Sequence, residues 1–386
     1  MNPIDGHHLQ QPLRRAFLVG LILPGQPGAV VEEHLDELEQ LALSAGAQVA
    51  GRAVQARKAP DPATFVGKGK AAEIGTAAGE LGADLLLFDD DLSAGQAKNL
   101  EEATGLAILD RSGLILEIFD QRAQSREART QVELARLNYQ LPRLTRRWSH
   151  LSRQAGGIGM RGGEGEKQLE QDRRLLRARI RRLEEELGKI ERTRQVQRHG
   201  RRGVPTVALT GYTNAGKSTL FNRLTAASAL VEDRLFATLD AKLRRGSVDG
   251  GVAVFADTVG FIRKLPHHLV SSFRSTLGQI TEADLVLHVV DRSHPRWHDQ
   301  MEVAEGVLDD LGVERHRVVT IFNKSDRVAV SEPRDGNGLW LSAATGDGIP
   351  ALRVELARRL AQQSPPPLSV PSRSAAPPPR LTTDGA

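Results

Sequence analysis

The chain is 386 residues long, 40% hydrophobic and 26% charged, the balance of a soluble globular protein with room for two or three cores rather than of a disordered one. It has no cysteine, which excludes disulfides, thiolate metal sites and cysteine nucleophiles and fits a reducing compartment such as the cytoplasm. The net charge of +4 is unevenly spread: residues 143–202 hold 18 Lys and Arg against 8 Asp and Glu, a basic block suited to a polyanion such as nucleic acid.

The first strong apolar run, AFLVGLIL at 16–23, is too short to span a bilayer and too interrupted by glycine for a signal core, so it reads as a buried strand. Residues 14–120 then alternate short apolar strands with helical stretches: RAFLVGLIL, VVEEHLDELEQLALSAG, a strand near 47–55, AAEIGTAAGELG, ADLLLFDDD and GLAILD. The alternation predicts a small α/β domain with a mainly parallel sheet. GKGK at 67–70 lacks the strand, spacing and hydroxyl of a phosphate loop and reads as a glycine turn before a helix.

From 121 to 200 the pattern is one of long, charge-laced helices. Leu134, Leu137 and Leu141 share one face of the first, which Pro142 stops. Leu169, Leu176, Ile180, Leu183, Leu187 and Ile190 follow the steps of a coiled-coil seam in the second. Between them LSRQAGGIGMRGGEGEK, 151–167, carries six glycines, and the expectation is an antiparallel hairpin with a flexible, basic tip. Residues 201–361 return to alternation, with strands expected in VPTVALTG, VAVFADTVG, DLVLHVVDRS, RVVTIFNKSD and LWLSAATG, and the Pro- and Ser-rich tail at 362–386 is expected to be disordered.

Chemistry concentrates in this last unit. GYTNAGKS, 211–218, follows a strand and precedes the helix STLFNRLTAA, the setting a phosphate-binding loop requires. Its members Gly211, Tyr212, Thr213, Asn214, Ala215 and Gly216 supply backbone amides, Lys217 a charge at the β and γ phosphates, and Ser218 a magnesium ligand. Asp257, Thr258, Val259 and Gly260 form DTVG at a strand end, where the carboxylate can hold magnesium through water and the glycine amide can meet the γ phosphate. In NKSD, Asn323 is expected to brace the loop, Lys324 to lie along the base and Ser325 to accompany them. Asp326 can accept the two N–H groups of a guanine edge, a pair of donors that adenine lacks. Ser342, Ala343 and Ala344 add backbone contacts to the base. Thr238, flanked by Phe236, Ala237, Leu239 and Asp240, is the expected switch threonine, binding magnesium only beside a γ phosphate. Hydrolysis is thus expected to rest on Lys217, Thr238, Gly260 and Asn214, with GTP and GDP as ligands, magnesium held by Ser218, Thr238 and Asp257, and no membrane span.

The chain resembles the HflX family of ribosome-associated GTPases over nearly all of 14–361. The resemblance is carried by FVGKGK, LILEIFDQRA, REARTQVELARLNYQLPRL, LSRQAGGIG, KQLEQDRR, GYTNAGKS, LFATLD, DTVGFIRKLP and NKSD, with 127–172 the most diagnostic part. It implies an N-terminal α/β domain, an antiparallel helical hairpin and a Ras-like P-loop GTPase domain in a cytoplasmic, monomeric protein. It also implies binding of the large ribosomal subunit and its rRNA through the N-terminal domain and hairpin, splitting of stalled or heat-damaged ribosomes, and hydrolysis stimulated by the subunit. Three features depart from the family pattern: RGGEGEK stands where a loop like RGPGET is usual, Ala241 and Lys242 follow LD in place of proline and threonine, and the C-terminal extension is only the Pro-rich tail.

Phe261 stands where such switches often carry a water-orienting glutamine, and it supplies no general base. Slow hydrolysis completed by a partner is the leading expectation. The rivals are an RNA-remodelling protein regulated by nucleotide and a nucleotide-gated binder that does not turn over. Asn214 has two open readings: a potassium site that replaces an arginine finger, as in GTPases with asparagine here and a hydrophobic residue after DxxG, or a residue that stabilises the turn.

Overall fold

The computed structural model describes residues 15–144, 163–199, 204–226, 235–236, 239–264, 274–329 and 338–363. The glycine-rich stretch up to 162, the pair Ala237 and Thr238, and the tail from 364 lie outside the described residues.

The first unit runs β1 (Arg15–Ile22), α1 (Gly28–Ser44), β2 (Gln48–Ala56), α2 (Lys68–Glu80), β3 (Leu85–Phe88), α3 (Ala94–Thr104), β4 (Ala107–Asp110) and α4 (Arg111–Arg122). Its sheet has the order β2-β1-β3-β4 and is parallel throughout. Strand alternation explains the layers: Ala16 and Leu18 meet Leu35, Leu38 and Leu41 of α1 and Leu114, Ile115 and Ile118 of α4. Phe17, Val19 and Leu21 point the other way, onto Ile74 and Ala78 of α2 and Leu100 of α3. The winding reverses between β1 and β3, and the carboxyl ends of strands at such a reversal form a crevice that in open α/β folds receives a ligand. Gly67, with φ at +89°, starts α2 as a turn residue, and a Cβ there would stand 2.3 Å from Arg57 Nη1.

The hairpin comprises α5 (Arg126–Gln140) and α6 (Gly163–His199). Arg126 pairs with Glu186 and Glu133 with Arg179, so rising numbers on one helix meet falling numbers on the other and the pair is antiparallel. Leu134, Ile180 and Leu183 are buried together, flanked by Leu137, Leu141 and Leu187. The expected loop is corrected at its end: α6 begins at Gly163, inside the stretch read as flexible through Lys167. A glycine costs a helix only about 1 kcal/mol, which a helix of 37 residues seated on a paired seam absorbs.

The second sheet is built from β5 (Thr206–Thr210), β6 (Lys242–Val248), β7 (Gly251–Asp257), β8 (Leu285–Asp291), β9 (Val318–Asn323) and β10 (Leu339–Trp340) in the order β10-β9-β8-β5-β7-β6. All its pairings are parallel except that of β6 with β7. Its helices are α7 (Lys217–Thr225), α8 (Arg274–Thr281), α9 (Trp297–Asp310) and α10 (Ile349–Gln363). Val207, Leu209, Leu287 and Val289 pack toward Phe221 and Leu224 of α7 and Leu352 and Leu356 of α10. Ala208, Ala256 and Val286 pack toward Leu277 and Ile280 of α8 and Ala304 and Leu308 of α9. That second layer is continuous with the α1 and α4 layer of the first unit through Tyr212, Phe236, Phe261 and Ile262, and Phe119 meets Phe236 edge-to-face with ring centroids 4.8 Å apart. Among the described residues, no helix is long and apolar enough to cross a membrane.

Candidate nucleotide-binding site

β5 ends in the loop 211–216, and two glycines there are dictated by geometry. Gly211 has φ +137° and a Cβ on it would lie 2.1 Å from the Val289 carbonyl oxygen; Gly216 has φ +90° and a Cβ would lie 2.3 Å from Asn323 Nδ2. Asn214 is exposed with φ +60°, a left-handed conformation that asparagine tolerates better than most side chains. Helix α7 starts at Lys217, so its free N–H groups point out of the loop toward the place an anion would take.

Lys217 is buried and donates to the carbonyls of Gly211 at 3.2 Å and Tyr212 at 2.7 Å. Burial pushes its ammonium down to about 8, against the opposite pull of the Asp257 carboxylate. The sign of the linkage follows. Above about pH 8 the empty site holds a neutral lysine, while bound phosphates favour the ammonium, so binding there takes up a proton and weakens by up to about tenfold per pH unit. Calorimetric titration of GDP near pH 9 in two buffers of different ionisation enthalpy should register uptake of about one proton. Absence of uptake would mean that Lys217 is already charged.

Ser218 Oγ donates to Asp257 Oδ2 at 2.7 Å, which brings together two of the three side chains expected at magnesium. Thr258 Oγ1 donates to the Leu209 carbonyl at 2.7 Å and fastens the start of DTVG to β5. Gly260 lies against the phosphate loop so closely that a Cβ would stand 2.9 Å from both Lys217 Nζ and Thr213 Cα. Phe261 is fully buried; its N–H donates to the Gly211 carbonyl at 3.0 Å and its carbonyl accepts from Thr213 N–H at 2.7 Å.

On the far side of the loop Asn323, at the end of β9, donates to the Ala215 carbonyl at 2.8 Å and accepts from Ala343 N–H at 2.9 Å, which ties three loops together. Ser325 N–H bonds the Leu341 carbonyl, and Asp326 is exposed on the short turn that follows. Ser342 and Ala343 are buried and Ala344 is exposed. Lys324 forms an ion pair with Asp291 at 2.7 Å, a partner not anticipated from the sequence.

Leu235, Phe236 and Asp240 are held by the first unit and the start of α5 instead. Leu235 N–H donates to Ser44 Oγ at 3.2 Å, Phe236 is buried against Phe119, and the Asp240 carboxylate accepts the N–H groups of Gln124 and Ser125 and the Ser125 hydroxyl at the start of α5. Phe236 and Asp240, expected at the nucleotide, therefore meet α4 and α5, while Leu239 is buried. The crevice at the β1 and β3 ends is filled from the second unit as well: Lys264 pairs with Asp89 at 2.5 Å and Asp90 at 2.6 Å, and Arg263 with Glu33 at 3.0 Å. Arg111, buried with Asp89 and paired with the partly buried Glu37, donates through Nε to the Arg263 carbonyl at 3.2 Å. No local motif announces these acids: Asp89 and Asp90 close the stretch ADLLLFDDD, and Glu33 and Glu37 lie in VVEEHLDELEQ.

A mainly parallel sheet that ends a central strand in a glycine-shaped phosphate loop, with DTVG beside it and NKSD two strands away, defines a P-loop GTPase. Comparison with known proteins narrows the class. The model of a GTP-binding GTPase N-terminal region matches residues 32–120, that of a GTP-binding GTPase middle region 122–201, and that of a 50S ribosome-binding GTPase 206–324. The GTPase HflX of Magnetococcus marinus is 46% identical over 352 residues, covering 89% of this chain and 82% of that protein. The GTPase HflX of Escherichia coli K12 is 48% identical over 338 residues, 85% of this chain and 79% of that protein. The chain belongs to the HflX GTPase family.

Proposed function

We propose that this GTPase binds the large ribosomal subunit and couples GTP binding and hydrolysis to splitting or rescue of stalled or stress-damaged ribosomes. The observation that carries the reading is Phe261: with its side chain fully buried and its backbone bonded into the phosphate loop, the position after DTVG offers no group to orient water. Charge and positioning remain to support slow hydrolysis, and a partner completes it. The basic block at 143–202 supports an rRNA partner for the hairpin between 121 and 200. The first unit, 14–120, and the GTPase unit, 201–361, would act with it in a cytoplasmic monomer.

In this reading Lys217 meets the β and γ phosphates, the Gly260 amide the γ phosphate and Asp326 the guanine edge. Ser218, Asp257 and Thr238 would hold magnesium, and the hydroxyl and carboxylate of Ser218 and Asp257, 2.7 Å apart, fit that hard cation. Magnesium, when bound, offsets the charge of the phosphates. Potassium at Asn214 belongs to the same proposal, alongside its role in the turn.

Sedimentation of intact ribosomes tests the function. With protein and GTP, the subunit peaks should grow at the expense of the intact particle, and with GDP they should not. An unchanged profile under every nucleotide would leave a nucleotide-gated binder.

A further inference from the structure

Tyr212, the second residue of the phosphate loop, is bound to the other unit of the protein. Its hydroxyl donates to Glu37 of α1, 175 residues earlier in the chain, and accepts the Arg263 N–H at 2.9 Å. Its carbonyl holds Lys217 Nζ at 2.7 Å, and its backbone bridges Phe261. The other oxygen of Glu37 is taken by Arg111, which also bonds Asp89 at 2.7 Å and the Arg263 carbonyl. Tyr212 is only 4% exposed, so its hydroxyl has no water to turn to if Glu37 is lost. Glu37 is itself fixed by Arg111, 2% exposed, whose buried charge it shares with Asp89.

From this chain of contacts we propose that Glu37 is a positioning residue for GTP hydrolysis: acting through the Tyr212 hydroxyl, it sets the carbonyl that aims Lys217 and holds the strand of backbone after Gly260 against the phosphate loop. Rate then depends on the docking of α1 onto the site, while the affinity for nucleotide does not. The geometry separates this role from mere glue. Other contacts between the units, such as Arg296 with Glu33 at 2.8 Å, touch neither Tyr212 nor Lys217.

The test uses the full-length chain with Tyr212→Phe, which removes one oxygen and keeps the ring, and with Glu37→Ala and Glu37→Gln. Single-turnover hydrolysis at saturating GTP should fall about tenfold in Tyr212→Phe, with GDP affinity within about twofold of the parent. Glu37→Ala should fall by a similar factor and the double variant no further, since both remove one linkage. Glu37→Gln, whose amide oxygen still accepts from the tyrosine, should recover most of the rate. Arg296→Gln, which loosens the units elsewhere, should hydrolyse as the parent does. An unchanged rate in Tyr212→Phe, losses that multiply in the double variant, or an equal loss in Arg296→Gln would overturn the proposal.

Discussion

Lys217→Ala is expected to lower the single-turnover rate of GTP hydrolysis by about a thousandfold, on the order of 4 kcal/mol of transition-state stabilisation. Lys217 is 7% exposed, its ammonium is held by two carbonyls at the mouth of α7, and little water could replace its charge. Phosphoryl transfer depends almost wholly on positioning and electrostatics. Because the ammonium also faces ground-state phosphates, GTP affinity should fall with the rate. Arginine is not expected to rescue: Gly260 lies so close that even an added Cβ would stand 2.9 Å from Nζ, which leaves no room for a guanidinium fork. Rapid-quench measurements on Lys217→Ala and Lys217→Arg check this, and a loss below tenfold in Lys217→Ala would contradict the role.

Asp326→Asn should exchange base preference rather than simply weaken binding. The carboxylate sits exposed on a turn whose frame is fixed by Ser325 N–H to the Leu341 carbonyl at 3.2 Å and by the bridging Asn323. Guanine presents two donors, and asparagine can accept only one while its own amide hydrogens meet the other. GTP affinity should drop on the order of a thousandfold, as for sites built to pair a polar group they no longer match. Xanthine carries a carbonyl in place of the exocyclic amine and can accept from the new amide, so the variant should gain affinity for XTP. Competition of unlabelled GTP and XTP against labelled GDP on the parent and labelled XDP on the variant measures both. A variant that keeps GTP within tenfold, or gains nothing for XTP, would remove Asp326 from the base.

Much of this architecture is legible in the sequence because local rules and tertiary context agree. The strands β1, β3, β5, β8 and β9 are apolar runs bounded by turns, and the leucine spacing of α5 and α6 produces the seam around Leu134, Ile180 and Leu183. The strand β6 is harder: KLRRGSV is basic and exposed at the sheet edge, so it carries no apolar alternation to reveal it. Helices α3 and α4 are also hard to read from the sequence, although Ser93 and Gln96 form a capping box at the start of α3. Nearly the whole length of α4 is buried, so it has no polar face to mark its period. At the site, the loops that the structure gathers around 211–218 follow from motif spacing. The contacts of Tyr212, Arg263 and Lys264 with the first unit and of Asp240 with the start of α5 do not, because residues more than a hundred positions apart leave no local trace of their pairing.

Single-turnover GTP hydrolysis with and without purified large subunits in potassium buffer tests partner-completed turnover most directly. Stimulation of about a hundredfold or more, about 2.7 kcal/mol off the barrier, is the result expected if the partner supplies what the buried Phe261 cannot. Equal rates with and without the subunit, or fast turnover by the protein alone, would contradict it.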